Sequence, residues 1–496
     1  MSMARARKPW WQSISSVESL ALLYVALPNV LFLQGWIVSP WSWLGAGVVT
    51  LCVLWTIRRT DVGPAPLPLG RRWWFIFAVA TFWCLDGGIG HFVYANIDWF
   101  VRDAVLVDLV RNPWPVRYRL GAEDMLMRSA TGFYLLPALV GKLTSIRVAD
   151  LALLVWTVIG VVITLALVLR DQPPWRVCVI RLVVFILFSG MDILPTVVRH
   201  YPYNVGEFIE WWGRYISFQS QSTSLFWAPN HTIPVWIATA WLASQPFRAI
   251  SIERASLFVV LIPLSSPIAG LGVALFVIGL IVHRFATERL MTVVRELIDW
   301  RLLATAAVCL GLVYPYLLSG SGEIHSGFFW DLPWVGEDFV QRYLEFVLVE
   351  FLGVAVVLLM VRPRDPLLWL ATAALLALPI YRFGPFNDLA MRGSITGLEV
   401  LAIRLGQWMG TWVEAPVGAE PRWRLRAAAV VLFSIGAVTP FMEMSRPLVR
   451  PAWSMDMQKS IVDASHGASH YLTPDRGPWL QRFLKPGPRT PHTDAQ

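Results

Sequence analysis

Charge is what this 496-residue chain has least of: Asp, Glu, Lys and Arg together make up 15% of it, against 56% hydrophobic residues. A soluble domain of this size needs more charge to cover its outside, so an ordinary soluble enzyme is excluded and one integral membrane domain is the economical reading. Lysine is nearly absent, which leaves arginine to carry the net charge of +8. That excess sits beside apolar segments, as the positive-inside bias predicts, and so points away from a nucleic-acid partner. Cysteine is scarce as well. Cys52, Cys84, Cys178 and Cys309 all fall in or at the edge of apolar runs, where they read as core thiols rather than a disulfide framework. The eight histidines are scattered, and only His466 and His470 stand at i, i+4, so no metal ligand set emerges. Walker A, HExxH, CxxC, GxSxG and DxD patterns are all missing.

Apolar runs long enough to cross a bilayer are what the chain has instead. Val17 to Ile37, Trp41 to Ile57 and Trp73 to Gly90 come first, with Arg58, Arg59, Arg71 and Arg72 between the second and third. Arg5, Arg7 and Lys8 precede the first run, but it is long and lacks a small-residue cleavage site, so it reads as a retained helix. Ala130 to Leu143 is short and contains Pro137, which suggests re-entrance; Ala149 to Leu169, Val177 to Leu194 and Pro229 to Ala243 follow. The run from Ala255 to Val282 is interrupted at Pro263-Leu264-Ser265-Ser266-Pro267, as two half-helices would be. Leu302 to Leu318, Tyr343 to Val361, Leu367 to Ile380, Ile395 to Trp412 and Ala427 to Phe441 complete the set.

The expected architecture is therefore an all-α polytopic transmembrane bundle of about 11–13 membrane segments over residues 1–441, with a tail at 442–496. Arginine-rich connections placed inside put the loops at about 91–129, 195–228, 319–342 and 381–394 on the outer face, with short interfacial helices in them. The tail is then external, too short for an independent catalytic domain and too rich in Pro and Gly to fold on its own.

Chemistry-bearing residues collect in those outer loops. Asp98, in Asn96-Ile97-Asp98-Trp99-Phe100, falls at headgroup level, where partial burial beneath Trp99 and Phe100 would raise its basicity as a general base; alternatively it caps the helix that follows. Asp103 and Asp108 lie on the next amphipathic stretch, either with the catalytic group or on a solvated face. In the second loop His200, Glu207, Glu210 and Arg214 accompany Phe208, Trp211, Trp212 and Tyr215, which would form one face of an interfacial helix. Its plain reading is anchoring; its functional one brings His200, Glu207 or Glu210 near Asp98 and Arg214 near a phosphate. Asn230 and His231 open a span and suit either capping or sugar hydroxyls. Asn387, Asp388 and Arg392 stand at the fourth loop: Asp388 and Arg392 pair at i, i+4, or Arg392 grips a phosphate. Glu399 and Arg404, inside the next apolar run, should face the protein interior.

An aspartate-bearing first outer loop, a Pro-containing apolar segment (Phe133 to Leu143), Arg-flanked spans and a second outer loop together resemble the GT-C superfamily of membrane glycosyltransferases over about residues 73–243. The resemblance implies a GT-C-type bundle and transfer of a sugar from a polyprenyl-phosphate donor to a glycan or lipid acceptor on the extracytoplasmic face of a bacterial inner membrane. It implies Asp98 as the catalytic carboxylate, joined by Asp103 and His200, with Glu210, Arg214, Asn230, His231, Asn387, Asp388 and Arg392 binding substrate. No cofactor would be required, and the missing paired-acid motif favours a metal-independent, inverting, single-sugar transferase over an oligosaccharyltransferase. Three other readings compete with it, one of them a non-catalytic scaffold, in which Asp98 would tolerate substitution to Asn without loss of activity. A polysaccharide polymerase or ligase would gather Arg and His in one large loop, and a flippase or transporter would centre on the break at Ser265-Ser266-Pro267.

Overall fold

A computed structural model describes residues 16–58, 70–128, 130–200, 203–213, 216–320, 326–331, 339–384, 387–414, 422–464 and 471–492. The chain is mostly helical. In order it forms α1 (Val17–Trp36), α2 (Trp41–Arg58), α3 (Arg71–Asp86), α4 (Trp99–Arg111), the strands β1 (Arg117–Leu120) and β2 (Glu123–Met127), α5 (Gly132–Leu143), α6 (Ile146–Val168) and α7 (Trp175–Ile186). Next come α8 (Pro229–Ala243), α9 (Ile252–Leu261), α10 (Pro267–Thr287) and α11 (Trp300–Leu318, with a π turn inside it). The last third holds β3 (Ser326–Phe328), α12 (Phe339–Val361), α13 (Pro366–Ile380), β4 (Tyr381–Phe383), α14 (Asp388–Glu414), α15 (Trp423–Met444), β5 (Leu472–Pro474) and β6 (Thr490–His492).

Seven of the described helices are long and apolar enough to cross a membrane: α1, α2, α6, α10, α11, α12 and α15. Their outer faces carry large exposed apolar side chains, among them Trp43, Leu51, Leu310, Val356 and Phe441, which water would not tolerate as a continuous belt and lipid would. The molecule is thus compatible with an integral membrane protein. Seven is fewer than the eleven full spans expected from hydropathy. Four of the apolar runs fold as helices under 18 residues, α3, α7, α8 and α13, while α14 reaches 27 residues but carries charge.

That charge is handled inside the protein, as the cost of exposing it to lipid requires. Glu399 is fully buried, and Arg404 donates from Nε to Asp365 Oδ2 (2.7 Å) and from Nη1 to the Ala243 carbonyl (2.9 Å). α14 packs against α7, α8, α10 and α13. Its crossing with α10 is close enough that a Cβ at Gly272 would meet the Gly393 carbonyl oxygen at 2.4 Å, so only glycine fits there.

The chain between α9 and α10 breaks where expected. Pro263 and Pro267 cannot donate, a 3-10 turn spans Ile262–Leu264, and Ser266 restarts the helix by accepting from Ala269 N (3.3 Å). The loops depart from expectation. α4 buries most of its residues instead of lying at an interface, and the aromatic stretch around Trp212 forms only a 3-10 turn, Glu210–Gly213, with Trp212 buried and Trp211 exposed. Tyr215 lies outside the described residues.

The tail is built into the first loop. β1 and β2 form an antiparallel hairpin, β5 adds to β2 antiparallel with Met127 opposite Leu472, and β6 adds to β1 parallel with Tyr118 opposite Thr490. Side chains reinforce the backbone pairing: Arg117 Nε reaches Asp475 Oδ2 at 2.7 Å, and Asp108 Oδ2 accepts from Tyr118 Oη (2.7 Å), Ser460 Oγ (2.8 Å) and Ile461 N (2.9 Å). Asp108 is a structural anchor for the tail in this arrangement.

Candidate anion-binding site

A cavity of about 210 Å³ lies where α4, the end of β2, α5, α8, α10, the end of α11, α14 and the tail meet. Arg102, Arg128 and Arg392 stand on its wall against one carboxylate, Asp388, with Tyr134, Asn230, His231 and Tyr471 completing the polar lining. Three helices also begin there. Asn230 and His231 belong to the first turn of α8, Pro267 and Ile268 open α10, and Asp388 opens α14. Helix N-termini present unsatisfied N–H groups and the positive end of the helix dipole, so backbone and side chains favour the same sign of ligand charge.

Each polar group is held by a traceable local cause. Asn96 Nδ2 donates to the Phe226 carbonyl (2.8 Å) and its Oδ1 accepts from Asp98 N (3.0 Å), which fixes the entry to α4. One turn on, Arg102 donates from Nη2 to Asp98 Oδ2 (3.0 Å) and from Nη1 to Asn230 Oδ1 (2.8 Å); its Nε has no partner among the described groups. Arg392 donates from Nη1 to Gln219 Oε1 (3.0 Å), and its Nε is likewise without a partner among them. Both guanidiniums are only 8% exposed, so in each a buried N–H is left without a protein partner. Arg128 is held by the Leu317 carbonyl at 3.1 Å.

The Ser266 cap also orients His231. Ser266 Oγ accepts from Ala269 N and lies 2.9 Å from His231 Nδ1. This contact fixes the orientation of the ring, and either neutral tautomer satisfies it. At the mouth of α14, Asn387 takes a left-handed conformation (φ 54°) and its Oδ1 accepts from Ala390 N and Phe383 N, both at 3.4 Å. Asn387 is fully buried and works as a helix cap that sets Asp388 and Arg392 on the cavity wall.

Of the residues singled out in the sequence, Asn230, His231, Asp388 and Arg392 line the cavity and Asp98 stands one ion pair behind it. Asp98 is partly buried, its side chain 39% exposed, and it makes no side-chain cap to α4. His200 is exposed at the end of a short helix, with φ 54°, and does not line the cavity. Glu207 pairs with Arg450 at 3.4 Å. Arg214 lies outside the described residues.

Glu210 belongs to a different place. It is 1% exposed, with Oε1 accepting from Ser220 N and Thr223 Oγ1, both at 2.8 Å. Burial and then the charges of Asp192 and Glu443 push its carboxyl well above the usual range. Close by, Trp212 Nε1 donates to both Asp192 Oδ1 (2.9 Å) and Glu350 Oε1 (3.2 Å), two more buried carboxyls.

Asp103 meets a partner that the sequence reading did not supply. His91 Nε2 lies 2.9 Å from Asp103 Oδ2, and His91 Nδ1 lies 3.2 Å from Asp150 Oδ1, which Arg147 also contacts through Oδ2 at 2.6 Å. Burial alone would lower the His91 pKa, but hydrogen bonds to Asp103 and Asp150 and their charges outweigh it and raise the value to about 9. The same burial raises Asp103 above the usual carboxylate value, opposed by His91. Asp103 is thus committed to an imidazolium, away from the cavity lining.

Arg102, Arg128, Tyr134 and Tyr471 are cavity residues that the sequence reading missed. Arg102 had one readable signal, its i, i+4 spacing from Asp98; Tyr471 had none, because it reaches the site through a strand pairing across most of the chain. Among the described residues no three His, Cys, Asp or Glu side chains are grouped so as to hold a metal ion. The chain matches no family model, no curated protein and no solved structure.

Proposed function

We propose that the protein is a membrane glycosyltransferase of GT-C type that uses a polyprenyl-phosphate sugar donor and acts at the extracytoplasmic face of a bacterial inner membrane on a glycan or lipid acceptor. The observation that carries this reading is the convergence of three arginines and three helix N-termini on one cavity inside an apolar helical protein. Such a wall suits a phosphate on an apolar carrier.

The roles follow from position. Arg102, Arg128 and Arg392 hold the donor phosphate and stabilise it as the anionic leaving group. His231 and Asn230 orient donor oxygens. Asp388 is the carboxylate on the cavity wall, which favours it over Asp98 as the base. It accepts the acceptor hydroxyl proton as that oxygen forms its bond to the anomeric carbon and the bond from that carbon to the phosphate oxygen breaks. Asp98 then positions Arg102. Asp103, His200, Glu210 and Asn387, all expected at the site from the sequence, have no direct step in this scheme. No step calls for a cofactor.

The test is mass spectrometry of lipids co-purifying with wild type, Asp388→Asn and Asp98→Asn from membranes supplied with polyprenyl-phosphate sugars. A sugar lipid consumed by wild type and retained on Asp388→Asn is the expected result. Absence of any bound sugar lipid and of turnover in all three would sink the reading. The helix break at Ser265-Ser266-Pro267, which borders the cavity, would then favour transport of a lipid-linked anion instead.

A further inference from the structure

The cavity wall has a component that comes from outside the membrane helices. Tyr471 lines it from the tail, one residue before β5. Its backbone is fixed from the opposite strand, because Arg128 N donates to the Tyr471 carbonyl at 2.7 Å directly beyond the β2–β5 pairing. Arg128 is itself on the wall, so a single backbone hydrogen bond sets the spacing of two cavity residues that lie far apart in sequence.

The phenol of Tyr471 sits within the fields of Arg102, Asp98, Arg392 and Asp388, the charged groups assembled at the cavity. Burial raises its pKa above the ordinary tyrosine value, with Arg102 and Arg392 opposing, so it carries its proton at neutral pH. Among the described residues no group lies within hydrogen-bonding distance of the phenol oxygen, whereas Tyr118 and Tyr316, the other tyrosines close to the hairpin, donate to Asp108 and to the Met127 carbonyl. A half-buried phenol on the wall it shares with Arg102 and Arg392, with its O–H uncommitted, is a donor placed for an anion that enters the cavity.

We infer that Tyr471 is a ligand-binding residue whose phenol donates to a phosphate oxygen between Arg102 and Arg392, which makes the C-terminal tail part of the binding site. This rests on the anion-site reading above and adds to it. The helices supply the charge, and the tail supplies an oriented neutral donor. Because the phenol holds nothing else among the described residues, Tyr471→Phe removes the proposed contact and leaves the aromatic packing in place.

The experiment measures binding of undecaprenyl phosphate, and separately of inorganic phosphate, to wild type, Tyr471→Phe and Arg392→Gln in detergent micelles, with melting temperature recorded for each. Loss of a hydrogen bond to a charged ligand predicts roughly tenfold weaker lipid-phosphate binding by Tyr471→Phe, at an unchanged melting temperature. Wild-type affinity in Tyr471→Phe alongside weakened binding in Arg392→Gln overturns the role of Tyr471 and leaves the anion site standing. Failure of wild type to bind either probe, or equal binding by all three proteins, overturns both. Inorganic phosphate bound as tightly as the lipid, and weakened by Tyr471→Phe, supports the phenol contact and removes the lipid carrier from the reading.

Discussion

Two places in this molecule gather several ionisable side chains of one type, buried or half-buried, and they differ in whether those side chains surround space. Arg102, Arg128 and Arg392 stand around a cavity of about 210 Å³. Asp192, Glu210 and Glu350 are 0%, 1% and 2% exposed and close on Trp212, Ser220 and Thr223, which supply donors within the protein. An isolated buried charge is costly, and a fold can lower that cost by internal hydrogen bonding or by leaving room for a counter-charge. The acid group draws on donors from Trp212, Ser220 and Thr223, and the arginine group combines acceptors from Asp98, Asn230 and Gln219 with open space. Buried charge-bearing side chains are common to both clusters; what separates them is the hollow beside the arginines.

The largest effect that would sharpen this contrast is expected from Asp388→Asn. Loss of a general base typically lowers turnover by about 10²–10⁴-fold, and donor binding should persist because the arginines remain. A drop in donor affinity with turnover per bound donor intact would instead make Asp388 a binding group. Next in size is Arg392→Gln, which removes a charge-assisted contact and should weaken undecaprenyl phosphate binding by roughly 10- to 100-fold. Glu350→Gln bears on the other side of the comparison. It keeps an acceptor for Trp212 and should leave lipid-phosphate binding at the wild-type level; a loss comparable to that of Arg392→Gln would break the distinction between the two clusters.

The smallest expected effect is on stability and comes from a third cluster, where charges of both signs neutralise each other. His91 has its pKa raised from 6.5 to about 9 by the folded structure. Its contribution is therefore fully present below pH 6.5 and is lost as pH rises through about 9. Glu210, raised well above the ordinary glutamate value by burial, also favours the fold at low pH, but its contribution begins to fall as pH rises through that ordinary value. Melting temperature followed from pH 5 to 10 should fall across the alkaline interval in wild type, and His91→Gln should flatten the part between about 6.5 and 9. An identical alkaline slope in the variant would show that the His91–Asp103–Asp150 contacts are not what the pH acts on.

How much of this was legible in the sequence depends on the distance over which each feature is determined. The start of α1 near Val17, the extent of α6 and the break around Pro263 and Pro267 follow from apolar length, caps and proline, all local. The burial of Glu399 and Arg404 follows from the cost of charge in lipid. The site was legible in part. Asn230, His231, Asp388 and Arg392 were readable because polar residues at helix starts are conspicuous in an apolar chain. Glu210 and His200 had the same local appearance, yet one folds inward onto Ser220 and Thr223 and the other stays exposed. Position in a loop cannot tell these outcomes apart, because packing against distant elements decides them. His91 illustrates this most clearly: its carboxylate partners stand 12 and 59 positions away, on α4 and α6.

The sheet that joins the tail to the first loop also orders events during synthesis. Met127 and Leu472 are partners separated by about 345 residues, so the β1–β2 hairpin emerges, and all seven apolar helices are made, before either outer strand exists. Through that interval the hairpin has two open edges, each a template for mispairing. The late strands close them at the entropic cost of a very long loop. Tyr471 arrives with β5, so the cavity acquires its full wall only after the membrane part has been produced. A nascent chain that has inserted all its helices accordingly still lacks one side of that cavity.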